Sequence, residues 1–181
     1  MTIPGREKGG WEESGFSLIE MMLVLLIIAI TLAVATLNFS RMDKKDQIEK
    51  ETRQLFTDVN NARTQAMFSK KPSSLWFQPQ SYSFITYSSA NEDPTVSTNG
   101  RTVSNTSVSY ALTNANGSSL ANTYVYFDVT GLTANPVTGS TANLLTIIVN
   151  PSGSGAAFDC VVIDVARTNM GNMQNGACIL K

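Results

Sequence analysis

The chain has 181 residues, 13 Lys or Arg against 14 Asp or Glu, and a formal net charge of −1. That balance gives no global electrostatic case for a nucleic-acid partner. It contains no histidine, which removes histidine-based catalytic pairs and histidine metal sites.

Met1–Ser14 is polar and mixed in charge and reads as a disposable leader, with Trp11 its one large apolar residue. Gly15–Leu37 follows as GFSLIEMMLVLLIIAITLAVATL, without Pro and without Gly after Gly15. About 20 apolar residues suffice to cross a bilayer as one helix. Glu20 is the one ionisable residue in the run, and a carboxylate in lipid is costly enough to need a partner. A secretory signal has an apolar centre of roughly 7–15 residues followed by a small-residue cleavage site. Here the run is longer, and a glycine precedes it. A plain anchor accounts for the run but not for Glu20.

Gly15, Phe16, Ser17, Leu18, Ile19 and Glu20, at the head of an unbroken apolar helix, resemble the type IV pilin and pseudopilin family. The resemblance implies that a prepilin peptidase cuts between Gly15 and Phe16, removing the leader 1–15, and that Phe16 is N-methylated. The new α-amine, of reference pKa about 7.7–8.0, lies four residues from Glu20, one helical turn away. In a filament it could instead pair with Glu20 of a neighbour, which would fix the axial register between subunits.

From Asn38 to Lys71 the helix changes character. Ile48, Leu55, Val59, Ala62 and Ala66 form an apolar stripe, widened by Phe56 and Met67, and Pro72 marks the stop. Asp46–Lys50 and Glu49–Arg53 are spaced as favourable i,i+4 pairs. The charged stretch Arg41–Arg53 could serve nucleic acid or lipid headgroups, but its interspersed signs read better as a solvated helix face. The expected helix is Phe16–Lys71, with 16–37 apolar and 38–71 amphipathic.

After Pro72 the period becomes two. Strands are expected at Ser74–Gln78, Tyr82–Tyr87, Ser107–Leu112, Thr123–Val129, Leu144–Val149, Phe158–Val165 and Ala177–Leu180, with Asn91–Thr106 a polar loop. The expected fold is α+β: a long N-terminal helix packed on an antiparallel β-sheet head, 72–181, arranged as a meander or small sandwich. The aromatic residues of the strands read mainly as core and cross-strand pairs. Tyr124 and Tyr126 share one face of their strand, with Val125 and Phe127 on the other.

A second resemblance lies in Leu55–Met67. Asp58, Ala62, Arg63 and Ala66 are similar to the D-x-x-x-A-R-x-x-A pattern of the minor pilin and pseudopilin-H branch. The C-terminal G-R turn of that branch corresponds to Val165–Gly171, with Ala166 in place of its glycine. Cys160 and Cys178 would most simply form one disulfide in an exported chain; the alternative is two buried thiols.

No catalytic constellation, cofactor motif or metal site stands out. Asp159 and Asp164 are five apart on an expected strand and face opposite sides. Nothing selects a calcium site at Asp93 or Asp128. The expectation is a non-enzymatic minor pilin or pseudopilin of a type IV pilus or type II secretion filament. It would be stored in the inner membrane by a single pass, with its head in the periplasm, and its partners would be other pilin subunits, the peptidase and the methylase. A DNA-capturing minor pilin is the first alternative, although Thr168–Gly176 carries no basic residue. A membrane-tethered periplasmic enzyme or ligand-binding domain is the second.

Overall fold

In the computed structural model, the described residues are 15–89, 100–104, 107–114, 117–120, 124–133 and 145–181. The expected leader Met1–Ser14, the Asn135–Thr141 turn and Asp93 lie outside them, as do parts of the Asn91–Thr106 and Asn114–Ser118 connections. Helix α1 spans Leu18–Ser69. It starts two residues after Phe16 and ends two before Lys71, where Lys70 turns to a positive φ of 53°. Pro72 cannot continue a helix and disfavours helical backbone in the residue before it. The chain divides into two compact units, 1–41 and 42–181.

Among the described residues of the second unit, nine strands follow the helix. They are β1 Ser73–Gln78, β2 Ser81–Thr86, β3 Gly100–Ser104, β4 Ser109–Asn114, β5 Tyr124–Phe127, β6 Leu145–Asn150, β7 Cys160–Ile163, β8 Thr168–Gln174 and β9 Ala177–Leu180. They form a four-stranded sheet, β3-β2-β1-β5, and a five-stranded sheet, β4-β6-β7-β8-β9. Every pairing is antiparallel. The fold is α+β and pilin-like.

Two strands depart from the sequence expectation. β3 falls inside the stretch read as a polar loop. It is an edge strand whose side chains are exposed except for half-buried Val103, so no apolar alternation marks it. β8 falls between Phe158–Val165 and Ala177–Leu180, where no strand is expected from the sequence. Its backbone is paired on both sides, to β7 and to β9, while its mostly polar side chains, two methionines and Gly171 carry no strand signal.

The core forms where the helical stripe meets both sheets. Ile48, Leu55, Val59, Ala62 and Ala66 are buried with Leu75, Phe77, Tyr82, Tyr110, Val125, Phe127, Ile147, Val149, Val161 and Ile163. Thr52 is buried in the same stripe and bonds the Ile48 carbonyl at 2.8 Å, so its hydroxyl is satisfied within the helix. Ser73 Oγ donates to the Ala62 carbonyl at 2.6 Å, tying β1 to α1. On β5, Val125 and Phe127 face the core, while half-buried Tyr124 stacks on Trp76 at 4.7 Å and Tyr126 lies 5.9 Å from Tyr87.

Two tyrosines join the sheets to the helix. Tyr82 of β2 donates to Asp58 Oδ2 at 2.6 Å, and Tyr110 of β4 donates to Glu51 at 3.4 Å. Their rings meet edge-on at 5.4 Å. Burial, with the carboxylate partners second, pushes both phenols well above their ordinary range. They therefore remain neutral donors at any physiological pH.

Candidate functional site

The N-terminal segment is built simply. Gly15, Phe16 and Ser17 precede α1, and Glu20 sits in its first turn. The Ser17 carbonyl accepts from Glu20 N at 3.0 Å and from Met21 N at 3.2 Å, opening the helix. A carboxylate in a first turn is favoured by the helix dipole, typically by about 0.3–1 kcal/mol. A Cβ added to Gly15 meets nothing within 4 Å, so the packing of this fold does not demand a glycine there.

Downstream, apolar side chains point outward all round the helix. Phe16, Leu18, Ile19, Leu23, Leu25, Leu26, Ile28, Ile30 and Leu32 are all exposed. A helix apolar on every side is one that something else must cover. The two threonine hydroxyls of the run are satisfied locally, Thr31 on the Ile28 carbonyl at 2.9 Å and Thr36 on the Leu32 carbonyl at 2.7 Å. Among the described residues no helix is long and apolar enough to cross a membrane. The expected span Phe16–Leu37 includes positions 34, 35 and 37, whose side chains lie outside the described residues.

Residues 12–36 match the family model of the prokaryotic N-terminal methylation motif. The chain is type IV pilin-like. No curated protein and no solved structure matches it. The motif supports a type IV pilin-like precursor processed at its N terminus.

The pilin-like head is pinned at three further places. Cys160 and Cys178 are joined in a disulfide, with Cα atoms 6.1 Å apart. The bridge links β7 to β9 beside Gly171 of β8, where any side chain would collide with Cys178 Sγ and the Ile179 carbonyl. Arg63 is buried between α1 and the 164–167 turn. Its Nη2 faces the Asp164 carbonyl at 3.2 Å and the Arg167 carbonyl at 3.5 Å, and its guanidinium lies 5.3 Å from the Phe127 ring centre. Burial lowers its pKa from the usual value and the nearby Asp164 charge raises it. The turn itself is closed by Asp164 N donating to the Arg167 carbonyl at 2.8 Å. The Asp-Ala-Arg pattern read in the sequence thus supplies Asp58 to one sheet and Arg63 to the other.

The charged stretch Arg41–Arg53 is not simply solvated. Glu49 accepts from Ala157 N at 2.8 Å, and Arg53 lies 4.8 Å over the Phe158 ring. Both members of the expected Glu49–Arg53 pair turn instead to the segment before β7. Among the described residues the salt bridge within 4 Å is Arg101–Asp58. Sequence periodicity does not reveal the Glu49 and Arg53 contacts, because their partners lie more than 100 residues away.

Asp159 and Asp164 do not form a pair. Asp159, fully buried, accepts from Gly153 N at 2.9 Å and Met173 N at 2.6 Å. Asp164 Oδ1 accepts from Val165 N. Asp128 closes a turn by accepting from Thr130 N and Leu132 N. Among the described residues no group of three or more Cys, Asp or Glu could hold a metal ion.

Proposed function

We propose that this chain is a minor pilin or pseudopilin, a structural subunit held in the inner membrane by Phe16–Leu37 until it enters a type IV pilus or type II secretion filament. Its head, 72–181 with the amphipathic half of α1, would lie in the periplasm. The observation that carries this reading is the methylation motif at 12–36, placed at the head of a helix whose apolar side chains are exposed on all sides. Lipid covers such a surface in storage, and neighbouring helices cover it in a filament.

The test is the mass of the mature chain. It is expected to lack Met1–Gly15 and to carry a methyl group on Phe16. A bulky residue at Gly15 should leave the precursor uncut while the head still folds, because that position has open space around it. Recovery of Met1–Gly15 in wild-type filaments would refute the assignment.

DNA is not a strong partner in this reading. Duplex affinity comes largely from phosphate neutralisation, with a salt slope scaling with the number of contacts. The β8–β9 hairpin has no cation between Arg167 and Lys181, and the Lys181 ammonium already donates to the Ala157 carbonyl at 3.2 Å. A gel-shift titration at physiological salt is expected to show weak binding with a shallow salt slope. Tight binding abolished by Arg167→Ala would instead make the chain a DNA-capturing subunit.

A further inference from the structure

On the flank of α1, Asp58, Asn61, Gln65, Phe84, Thr86, Gly100 and Arg101 enclose a pocket of about 380 Å³. Its base is the Asp58 carboxylate, whose side chain is 9% exposed. One oxygen, Oδ2, takes the Tyr82 hydroxyl at 2.6 Å. The other faces Arg101 Nη2 at 3.8 Å, longer than a hydrogen bond. A carboxylate this buried is normally satisfied by close charged or polar donors, and here the cation stands off. Arg101 is 70% exposed and lies on β3, which among the described residues is an edge strand paired to β2. Its guanidinium carbon sits 5.1 Å from the Phe84 ring centre.

We propose that this pocket is a docking site for an arginine side chain presented by another protein chain, and that Arg101 holds the place loosely until the partner displaces it. The chemistry is that of guanidinium recognition. A buried carboxylate takes the N–H edge, an aromatic ring takes the flat face, and amide and hydroxyl groups line the rim. Arg101 shows that a guanidinium fits between Phe84 and Asp58. Its exposure and long contact show that it fills the site poorly. A lysine ammonium would match the charge but not the ring face, so arginine is preferred. Gly100 sets the position of the placeholder. A Cβ there would collide with the Phe84 carbonyl oxygen, so only glycine lets β3 lie this close to the pocket. The inference does not depend on the filament assignment.

The test uses the full chain in detergent, titrated with Nα-acetyl-arginine amide and, separately, Nα-acetyl-lysine amide, with binding read by NMR. Arg101→Ala vacates the site and is expected to bind the arginine probe at least about fivefold tighter than wild type and tighter than the lysine probe. Adding Asp58→Asn should reverse that gain while retaining the Tyr82 bond. Adding Phe84→Leu to Arg101→Ala should erase the preference for arginine over lysine, and gives a second route should the asparagine variant fold poorly. An Arg101→Ala chain that binds the probe no better than wild type overturns the proposal. So does a gain that survives both second substitutions. A merely structural Arg101 would lower the melting temperature without creating any binding.

Discussion

Glu20→Ala is expected to leave the chain in the membrane and keep it out of filaments. The substitution removes the one ionisable group from the apolar run, so insertion is unchanged or easier. Assembly differs, because the terminal amine of a processed Phe16 would then enter a low-dielectric helix bundle without its counter-charge. Breaking a buried ion pair by removing one partner typically costs about 3–5 kcal/mol, a factor of roughly 100 or more in the assembly equilibrium. Glu20 is exposed in the first turn of α1. Circular dichroism should therefore be unchanged while the ratio of variant to wild type in sheared filaments collapses. Glu20→Gln, of the same size but uncharged, separates charge from shape and should fail almost as badly. Alanine subunits found in filaments at the wild-type ratio would remove Glu20 from the assembly mechanism.

Gly171→Ala is expected to be among the most damaging single-methyl changes in the head. Gly171 pairs with Cys160 on one side and Leu180 on the other. An alanine Cβ would lie 2.5 Å from the Ile179 carbonyl oxygen and 2.7 Å from Cys178 Sγ. Neither neighbour is the free end of a flexible side chain: one is backbone and the other is fixed by the disulfide. Overpacking of this kind costs about 1–3 kcal/mol. If β9 moves away and the bridge is lost, a cross-link closing about 18 residues adds about 3 kcal/mol in the chain-entropy model. The melting temperature should fall by roughly 10 °C or more, with thiols becoming accessible to a labelling reagent. Reducing the wild type should reproduce only part of that loss. A variant melting with the wild type, its thiols still protected, would show that β9 accommodates the methyl without strain.

The N-terminal motif was readable because it is local. Gly15, Phe16 and Glu20 are contiguous in the chain, and a run of apolar residues is its own signature whatever it packs against. The helical stripe Ile48, Leu55, Val59, Ala62 and Ala66 was equally legible, since its period reports one buried face, and every one of these residues is in the core. Strand existence was legible wherever one face is buried, as in Val125 and Phe127 of β5. It failed for β3 and β8, where the ladder is backbone and most side chains are polar.

Only the tertiary structure decided what the polar residues of the helix do. The sequence places Asp58 and Arg63 five residues apart. Folding sends one to Tyr82 and Arg101 beside the four-stranded sheet and the other to the 164–167 turn beside the five-stranded sheet. It likewise turns Glu49 and Arg53 from a local pair into contacts with Ala157 and Phe158. These assignments depend on loop closures of tens to about a hundred residues, which no local period encodes. The apolar pattern selects the elements, and the geometry of two sheets against one helix selects the partners.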